Sequence, residues 1–355
     1  MLKPVDEYLG LIPDIIFQKI EEIYNLNNYN IYPYTGINDT PVLLNKRSQT
    51  SRKVIIESNE ALYILKEIPW YADNDNIAAI LQVQELLYHQ TKMVPKIVRS
   101  ENGYLIEDIY GKRYFIQEYI KGYSFSGESR ECYSAGKFLF ELHEQMNLLL
   151  NADSFHLKSQ NPSEISSGVL NLVARHFRKI RTSLNKREQG QFHTFLTATN
   201  LKIKKIKSDL VKLNIPIRRS IVHGDFNPNN MTFSSSGTVK SVYDFDNVCY
   251  DDPVHDIAEG LINFSMITFR PFSSRFSNIN FTINDKAIDF LKGYYHKELD
   301  KKHLACLPAI AALISIELIG LGLLRDDWNI DTANQFLLQV DEMKNNLNNV
   351  IKSEL

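Results

Sequence analysis

Cysteine is scarce in this 355-residue chain. Cys132, Cys249 and Cys306 stand far apart, and their number is odd, so neither a closed disulfide framework nor a paired-cysteine metal knuckle is expected. They read as reduced thiols of a cytosolic protein. An excess of charge is lacking too. Forty Lys and Arg face 42 Asp and Glu, a formal net charge of −2. No global field then favours nucleic acid or an anionic membrane surface. Internal repeats and long low-complexity tracts are absent. The opening residues MLKPVDEYLG show no basic region followed by an apolar run, so no secretory signal is expected and the cytoplasm is the expected location.

Long hydrophobic runs are also few. One stands out, Leu304 to Leu324 (LACLPAIAALISIELIGLGLL). Its length nearly suffices to span a bilayer. Glu317 lies deep inside it, where an acid costs about 2.5–3.5 kcal/mol on insertion scales. Pro308, Gly320 and Gly322 interrupt it as well. A buried helix is expected instead, with a polar partner or a cavity for Glu317. With 44% hydrophobic and 23% charged residues the chain can build a real core. Its length suggests two lobes rather than one compact domain.

The two parts differ in texture. IPDIIFQKIEEIYNL reads as a helix. RKVIIES and ALYILKEI are apolar, β-branched runs split by Asn59-Glu60, a hairpin signature. IYPYTGINDTPVLL suggests another strand pair turning at Gly36. DNIAAILQVQELLYHQ carries helical spacing. KIVRS, GYLIEDI and RYFIQEYI read as strands, with Asn102-Gly103 as a turn between the first two. After Gly122 the helical pattern dominates, starting with ECYSAGKFLFELHEQMNLLL. Two short β-like pieces, SIVHGDF and VKSVYDFDNV, interrupt it. The expected division is a β-rich lobe over 1–117 with a leading helix, a connector at 118–122 and a helical lobe over 123–355.

SIVHGDFNPNNMTF, residues 220–233, holds the strongest chemical signal. A strand delivers Asp225 into a short loop, and Asn230 follows five residues later. SVYDFDNV then places Asp244 at the end of another apolar run. Transfer of a phosphoryl group from ATP needs this set. One carboxylate accepts or orients the proton of the attacking hydroxyl, while an amide and a second carboxylate hold Mg²⁺ against the phosphates. Any one of the three residues alone would read as a turn cap or a strand end. Upstream, Lys66 is the only lysine inside a convincing strand, where it can pair with nucleotide phosphates. Glu85 is its candidate acidic partner, as the only acid between Ile77 and Gln90.

HGDFNPNN, YDFDN and DPVHDIA together resemble the aminoglycoside phosphotransferase and choline kinase superfamily, with its HGDxxxxN loop and IDFD-type segment. The likeness covers most of the chain from about residue 30 onward. It implies an α+β, bilobal protein-kinase-like fold: a small antiparallel β-sheet lobe with one helix and a larger, mainly helical lobe. It implies Asp225 as catalytic base or substrate-orienting acid, and Asn230 and Asp244 as Mg²⁺ ligands. Asp246 rivals Asp244, which is preferred because it ends the apolar run. Asp256 matches a position that braces the catalytic loop, and His223 reads as scaffold. The connector FIQEYIKG resembles the family's hinge, which implies that the Glu118 carbonyl and the Ile120 N–H meet the adenine edge.

The phosphate loop is weak. TGINDT holds one glycine where protein kinases have GxGxxG, although Gly36 and Asn38 can still shape a turn over phosphates. The basic stretch from Asn45 to Lys53 reads as a solvated hairpin tip. The basic run from Arg175 to Lys207 lacks aromatics interleaved at recognition spacing and reads as a solvated helix face. Acceptor-site candidates are Asp251, Asp252, Glu259, Glu317, Asp326, Asp327 and Trp328. Their acidity suits a cationic or polyhydroxylated substrate, and Trp328 is the one tryptophan placed to join an aromatic cage.

The expected activity is an ATP- and Mg²⁺-dependent O-phosphotransferase of a small molecule, either an aminoglycoside or other antibiotic. A sugar, choline or homoserine-type kinase is the alternative, and a non-catalytic spore-coat-like homologue another. The expected partners are nucleotide and a small-molecule hydroxyl acceptor, with no nucleic acid and no membrane, for a monomer or homodimer.

Overall fold

A computed structural model describes residues 12–26, 29–33, 52–58, 61–152, 155–159, 162–214, 219–269, 276–294 and 304–354. In chain order the elements begin with α1 (Asp14–Tyr24), β1 (Asn30–Pro33), β2 (Lys53–Ser58), β3 (Ala61–Ile68), α2 (Asn74–Thr91), β4 (Ile97–Val98), β5 (Glu107–Ile109) and β6 (Lys112–Glu118). Then come α3 (Ser129–Ala152), α4 (Pro162–Ile180), α5 (Lys186–Leu213), β7 (Ser220–Val222), β8 (Met231–Phe233), β9 (Val239–Val242) and β10 (Cys249–Asp251). The chain continues through α6 (Val254–Ser265), β11 (Ile267–Phe269), β12 (Phe276–Ile279), α7 (Asp285–Tyr294), α8 (Leu307–Leu324) and α9 (Ile330–Glu354).

These elements pack into two compact units that are discontinuous in sequence. The first holds the described residues up to Phe125, with Leu148–Leu157 and Asn229–Asn247. The second holds Ser126–Asn147, Lys158–Pro228 and the described residues from Val248 onward.

The first unit is built on a six-stranded antiparallel sheet, ordered β1-β2-β3-β6-β4, with β5 also on β6. β2 and β3 are the expected apolar runs, in register from Lys53 opposite Lys66 to Ser58 opposite Ala61. That register puts Lys53 and Lys66 side by side on one face, because side chains alternate with period two. The other face meets α1: Ile16, Phe17 and Ile20 join Val54, Ile56, Leu65, Tyr114 and Ile116 in one buried cluster. β4 and β5 both pair with β6. Gly103 does turn, donating to the Ser100 carbonyl at 2.8 Å, but it does not join two paired strands. The tight hairpin lies at Tyr110-Gly111, both with positive φ, between β5 and β6. Gly36, Asn38 and residues 45–51 of the basic stretch lie outside the described residues.

The same unit takes in the hairpin of β8 and β9. Tyr123 bridges to Phe233, with N–H to carbonyl bonds of 2.7 and 2.9 Å in the two directions. Gly122 is required at that approach, because a Cβ there would stand 2.7 Å from both the Phe233 carbonyl oxygen and the Thr232 Cβ.

The second unit is helical. α8 runs through its centre against α4, α6 and α9. It is the one described helix long and apolar enough to cross a membrane by length and composition, and 72% of it is buried inside the protein. The basic face of α5 turns partly to acids of α9: Lys202 meets Asp341, and Arg187 reaches Asp331 at 3.7 Å. α5 itself opens on a capping box, with Asn185 and Glu188 each accepting the other's backbone N–H.

Candidate active site

The first unit gathers a charged cluster around Asp244. This residue leaves β9 with φ 63°, in the left-handed region that side chains other than glycine seldom adopt. Such backbone strain is commonly held at functional sites. The turn aims the Asp244 carboxylate at two ammonium groups: Oδ1 accepts from Lys66 at 2.8 Å and Oδ2 from Lys53 at 3.0 Å. Lys66 also bonds Asp246. The Lys66 side chain is only 4% exposed, so these carboxylates supply its countercharge inside the protein. Burial opposes ionisation of Asp244. The charges of Lys53 and Lys66 overcome that, with their hydrogen bonds, and hold the carboxyl far below the usual carboxylate range. It is an anion at any working pH.

Close by, Tyr243 is anchored by its own N–H, which donates to the Asn230 carbonyl at 2.7 Å. Its hydroxyl accepts from the Ile120 N–H at 2.6 Å.

The second unit holds Asp225. Strand β7 ends at Val222, and the next residues are pinned by one buried carboxylate. Asp256 accepts the N–H of His223 at 2.6 Å and that of Gly224 at 2.8 Å. Gly224 has φ 73°, so a side chain there would be strained. Asp256 is fully buried. Burial alone would raise its carboxyl, yet the hydrogen bonds and charges from His143 and its neighbours prevail and lower it. His143 is oriented in turn by Tyr294, with Nδ1 and the hydroxyl 2.9 Å apart. His223 uses its Nδ1 to accept the Asp225 N–H at 3.3 Å. Asn227 donates to Asp225 Oδ1 at 2.7 Å, which fixes how that carboxylate points. The loop is therefore held at its backbone and at its acid.

A second group of titratable residues surrounds Asp225. Glu259 accepts the Phe226 N–H at 2.9 Å. Burial, and then the charge of Asp225, hold the Glu259 carboxyl above the usual range. Glu317 is pushed up to about 7 by burial, with His255 opposing and Asp225 adding to the rise. His255 bonds Asp251 through Nδ1 at 2.8 Å. Burial disfavours its charged form, but the bond to Asp251 and the charges of Glu259, Asp251 and Asp256 win and raise it to about 9.

These elements and this loop match the model of the phosphotransferase enzyme family, over residues 45–279. The chain belongs to that family. No curated protein sequence matches it. Among solved structures it is similar to an amicoumacin kinase in complex with AMP-PNP, Ca²⁺ and Ami, at 18% identity and TM-score 0.60, covering 96% of each chain. It is also similar to a spectinomycin phosphotransferase in complex with ADP and spectinomycin (13% identity, TM-score 0.54, covering 94% of this chain and 98% of that one). A choline kinase from Streptococcus pneumoniae is a third (15% identity, TM-score 0.52, covering 94% and 98%). The fold is the α+β fold of these kinases, and membership makes the chain a small-molecule kinase with a hydroxyl acceptor.

Within this phosphotransferase the residues singled out from sequence fall into separate groups. Lys66, Asp244 and Asp246 come together. Asp225, Asp251, Glu259 and Glu317 share one electrostatic neighbourhood through His255. Glu85 corrects an expectation: it faces Arg99, which grips it at 2.7 and 2.5 Å, and Lys66 takes Asp244 and Asp246 instead. Its neighbour Gln84 is a buried polar residue of α2, bonded to Gln117 at 3.0 Å. Asp252, just ahead of α6, accepts the Val254 N–H at 3.0 Å. Asp326 sits exposed at the end of α8 in the left-handed region, and Asp327 Oδ2 accepts the Phe276 N–H at 3.4 Å. Trp328 is engaged in packing, stacked on Phe276 at 5.3 Å with Phe336 at its edge.

Sequence reading missed three participants. Lys53 was assigned to a solvated hairpin tip, yet the β2–β3 register makes it Lys66's neighbour. That pairing was implicit in the hairpin expected at Asn59-Glu60. His143 gave no signal, because its partner Asp256 lies 113 residues away. Asn227 was hidden among the asparagines of NPNN.

Replacing Asp256 by Asn should cost about 3 kcal/mol in a urea unfolding titration, because one of two buried N–H donors loses its acceptor along with the charge. A change under about 0.5 kcal/mol would show that the loop is braced elsewhere. For His255 the folded value of about 9 exceeds the unperturbed 6.5. Its stabilising contribution is therefore full below about pH 6.5 and lost as pH rises through about 9. The thermal midpoint should fall across that window, and His255→Gln should flatten the fall. An unchanged slope in the variant would mean His255 is neutral in the folded protein.

Proposed function

We propose that this chain is an ATP-dependent O-phosphotransferase in which Asp225 is the base and Lys66, Asn230 and Asp244 hold Mg-ATP. The observation that carries it is the Lys66–Asp244 contact. A lysine buried on the central strand, tied to an ionised aspartate on a strained turn, supplies one ammonium for phosphate oxygens and one hard oxygen ligand for a divalent cation.

The donor chemistry suits Mg²⁺. An anionic carboxylate and a side-chain amide offer oxygen ligands, and Mg²⁺ commonly takes one or two protein ligands while keeping phosphates and waters. Among the described residues no set of three or more His, Cys, Asp or Glu is placed to cage a metal by itself. When bound, the cation neutralises charge on the transferring phosphoryl group. The remaining work falls to the chain. Lys53 and Lys66 are ammonium donors for phosphate oxygens. Asp225, oriented by Asn227, takes the proton of the acceptor hydroxyl. Asp256 keeps the loop rigid so that this carboxylate is pre-aimed. The β-rich part, 1–117, then serves the nucleotide, 118–122 its base, and 123–355 the catalytic loop and acceptor.

For the acceptor, Glu259 and Glu317 beside Asp225 favour a hydroxylated compound that carries an amine. Their raised carboxyls would ionise more readily against a cation. That covers aminoglycoside-type antibiotics and simple amino alcohols, and a choline-like or homoserine-like substrate is the second reading. Asp327 and Trp328 have structural partners, so with the exposed Asp326 they carry less of this proposal. We place the reaction in the cytoplasm.

In a coupled ADP-release assay, a panel of aminoglycosides, hexoses, choline and homoserine should show turnover with an amine-bearing acceptor. Asp225→Ala should lower that turnover about 10²–10⁴-fold, with ATP still bound. Asp244→Asn should abolish the thermal stabilisation by ATP and Mg²⁺. Full turnover in Asp225→Ala would remove it from the role of base. A wild-type protein that neither binds ATP nor releases ADP would leave the non-catalytic reading standing.

A further inference from the structure

Tyr243 sits against Ile120, in the connector that the proposed function assigns to the nucleobase. It is 2% exposed, and its ring packs on Ile64 of β3 together with Tyr119 and Ile120. The Tyr119 ring lies 6.3 Å away, tilted by 43°. The Tyr243 hydroxyl both accepts from the Ile120 N–H, at 2.6 Å, and donates to the Ile120 carbonyl, at 3.2 Å. A phenol carries one donor and acceptor lone pairs, so a single residue satisfies both of its functions.

The main chain leaves Tyr243 little choice. Its N–H is bonded to the Asn230 carbonyl, and the next residue is the strained Asp244. The side chain is thus launched from the same turn that aims the Asp244 carboxylate. An aliphatic side chain there would fill space against Ile64 but leave the Ile120 N–H to another acceptor. The hydroxyl is what closes that edge.

We propose that Tyr243 is an internal occupant of the nucleobase edge: its hydroxyl holds the Ile120 N–H in the free protein and must give it up when a purine binds. This deepens the proposed function and rests on the assignment of Ile120 to the base. The apparent affinity for nucleotide is then the intrinsic affinity reduced by the fraction of protein whose edge is open. The residue acts on the base alone. In the proposed function the phosphates fall to Lys53 and Lys66, whose ammonium groups bond Asp244.

Tyr243→Phe keeps the ring and its packing and removes only the hydroxyl. In the full-length variant, titration calorimetry should show ATP and adenosine binding about five- to tenfold tighter than in wild type, the worth of one net hydrogen bond. Tripolyphosphate should bind both proteins equally. Amide hydrogen exchange supplies a readout without nucleotide: the Ile120 amide should exchange faster in the variant than in wild type, and ATP should slow it in both. Unchanged or weaker adenosine binding in the variant, with ATP binding intact, overturns the proposal and leaves the phosphotransferase assignment of the site in place. Tighter binding of tripolyphosphate by the same factor also overturns it, because the effect would then lie at the phosphates. If both folded proteins fail to bind ATP and ADP, the proposal falls together with the Mg-ATP assignment.

Discussion

The attraction between the Asp244 carboxylate and the ammonium groups of Lys66 and Lys53 organises the first unit. It ties two adjacent strands to a hairpin nearly two hundred residues downstream. Lys66 is buried, and a buried ammonium without countercharge would lose its proton or unfold its surroundings. Asp244 and Asp246 remove that cost. The same contact keeps Asp244 in an unfavourable backbone region, where it would otherwise relax by about 1–3 kcal/mol. Two ammonium groups, Lys53 and Lys66, and two carboxylates, Asp244 and Asp246, make a cluster that is formally neutral in itself.

The second unit follows the opposite economy. Asp256 is saturated by donors from two directions, the His223–Gly224 backbone and the His143 ring. Nothing about it is available to a substrate. Asp225, the residue after Gly224, is oriented by Asn227, which donates to its Oδ1. In the proposed function a rigid brace and a pre-aimed base are both needed, and they fall to different carboxylates, Asp256 on α6 and Asp225 on the loop. Glu259, Glu317 and His255 then set the local field. Two acids whose protons are held tightly stand beside a histidine that keeps its charge, so the field at Asp225 depends on pH through three groups at once.

Short motifs exposed the loop because their chemistry is local: HGD and the asparagine five residues on must be written in one segment to serve one loop. Alternating apolar runs exposed β2 and β3, and apolar helical spacing exposed α2 and α3. What stayed hidden were partners chosen by packing. Glu85 was a reasonable acid for Lys66 by elimination, yet its position on α2 faces Arg99, and the acids Lys66 needs come from the far hairpin. Lys53 was concealed by its company, a run of basic and polar residues that reads as solvated until the strand register is known. His143 and Tyr294 lie on separate helices of an otherwise ordinary amphipathic pattern, so their link through Asp256 to the His223–Gly224 backbone is a tertiary fact.

Tyr243 illustrates the remaining gap. In YDFDN the aspartates draw attention, and a tyrosine ending an apolar strand reads as core. It is core, being almost wholly buried. A core position on this strand is also within reach of Ile120, because β8 and β9 pack in one unit with the connector that follows β6. A phenol is the one aromatic side chain that can fill an apolar slot with its ring and still carry both a donor and an acceptor at its tip. Phenylalanine would give the same burial with no bond to the main chain, and tryptophan would donate without accepting. The pairing of a buried ring with a doubly bonded hydroxyl at Ile120 is therefore specific to tyrosine. It couples the turn that holds Asp244 to the edge expected to read the base.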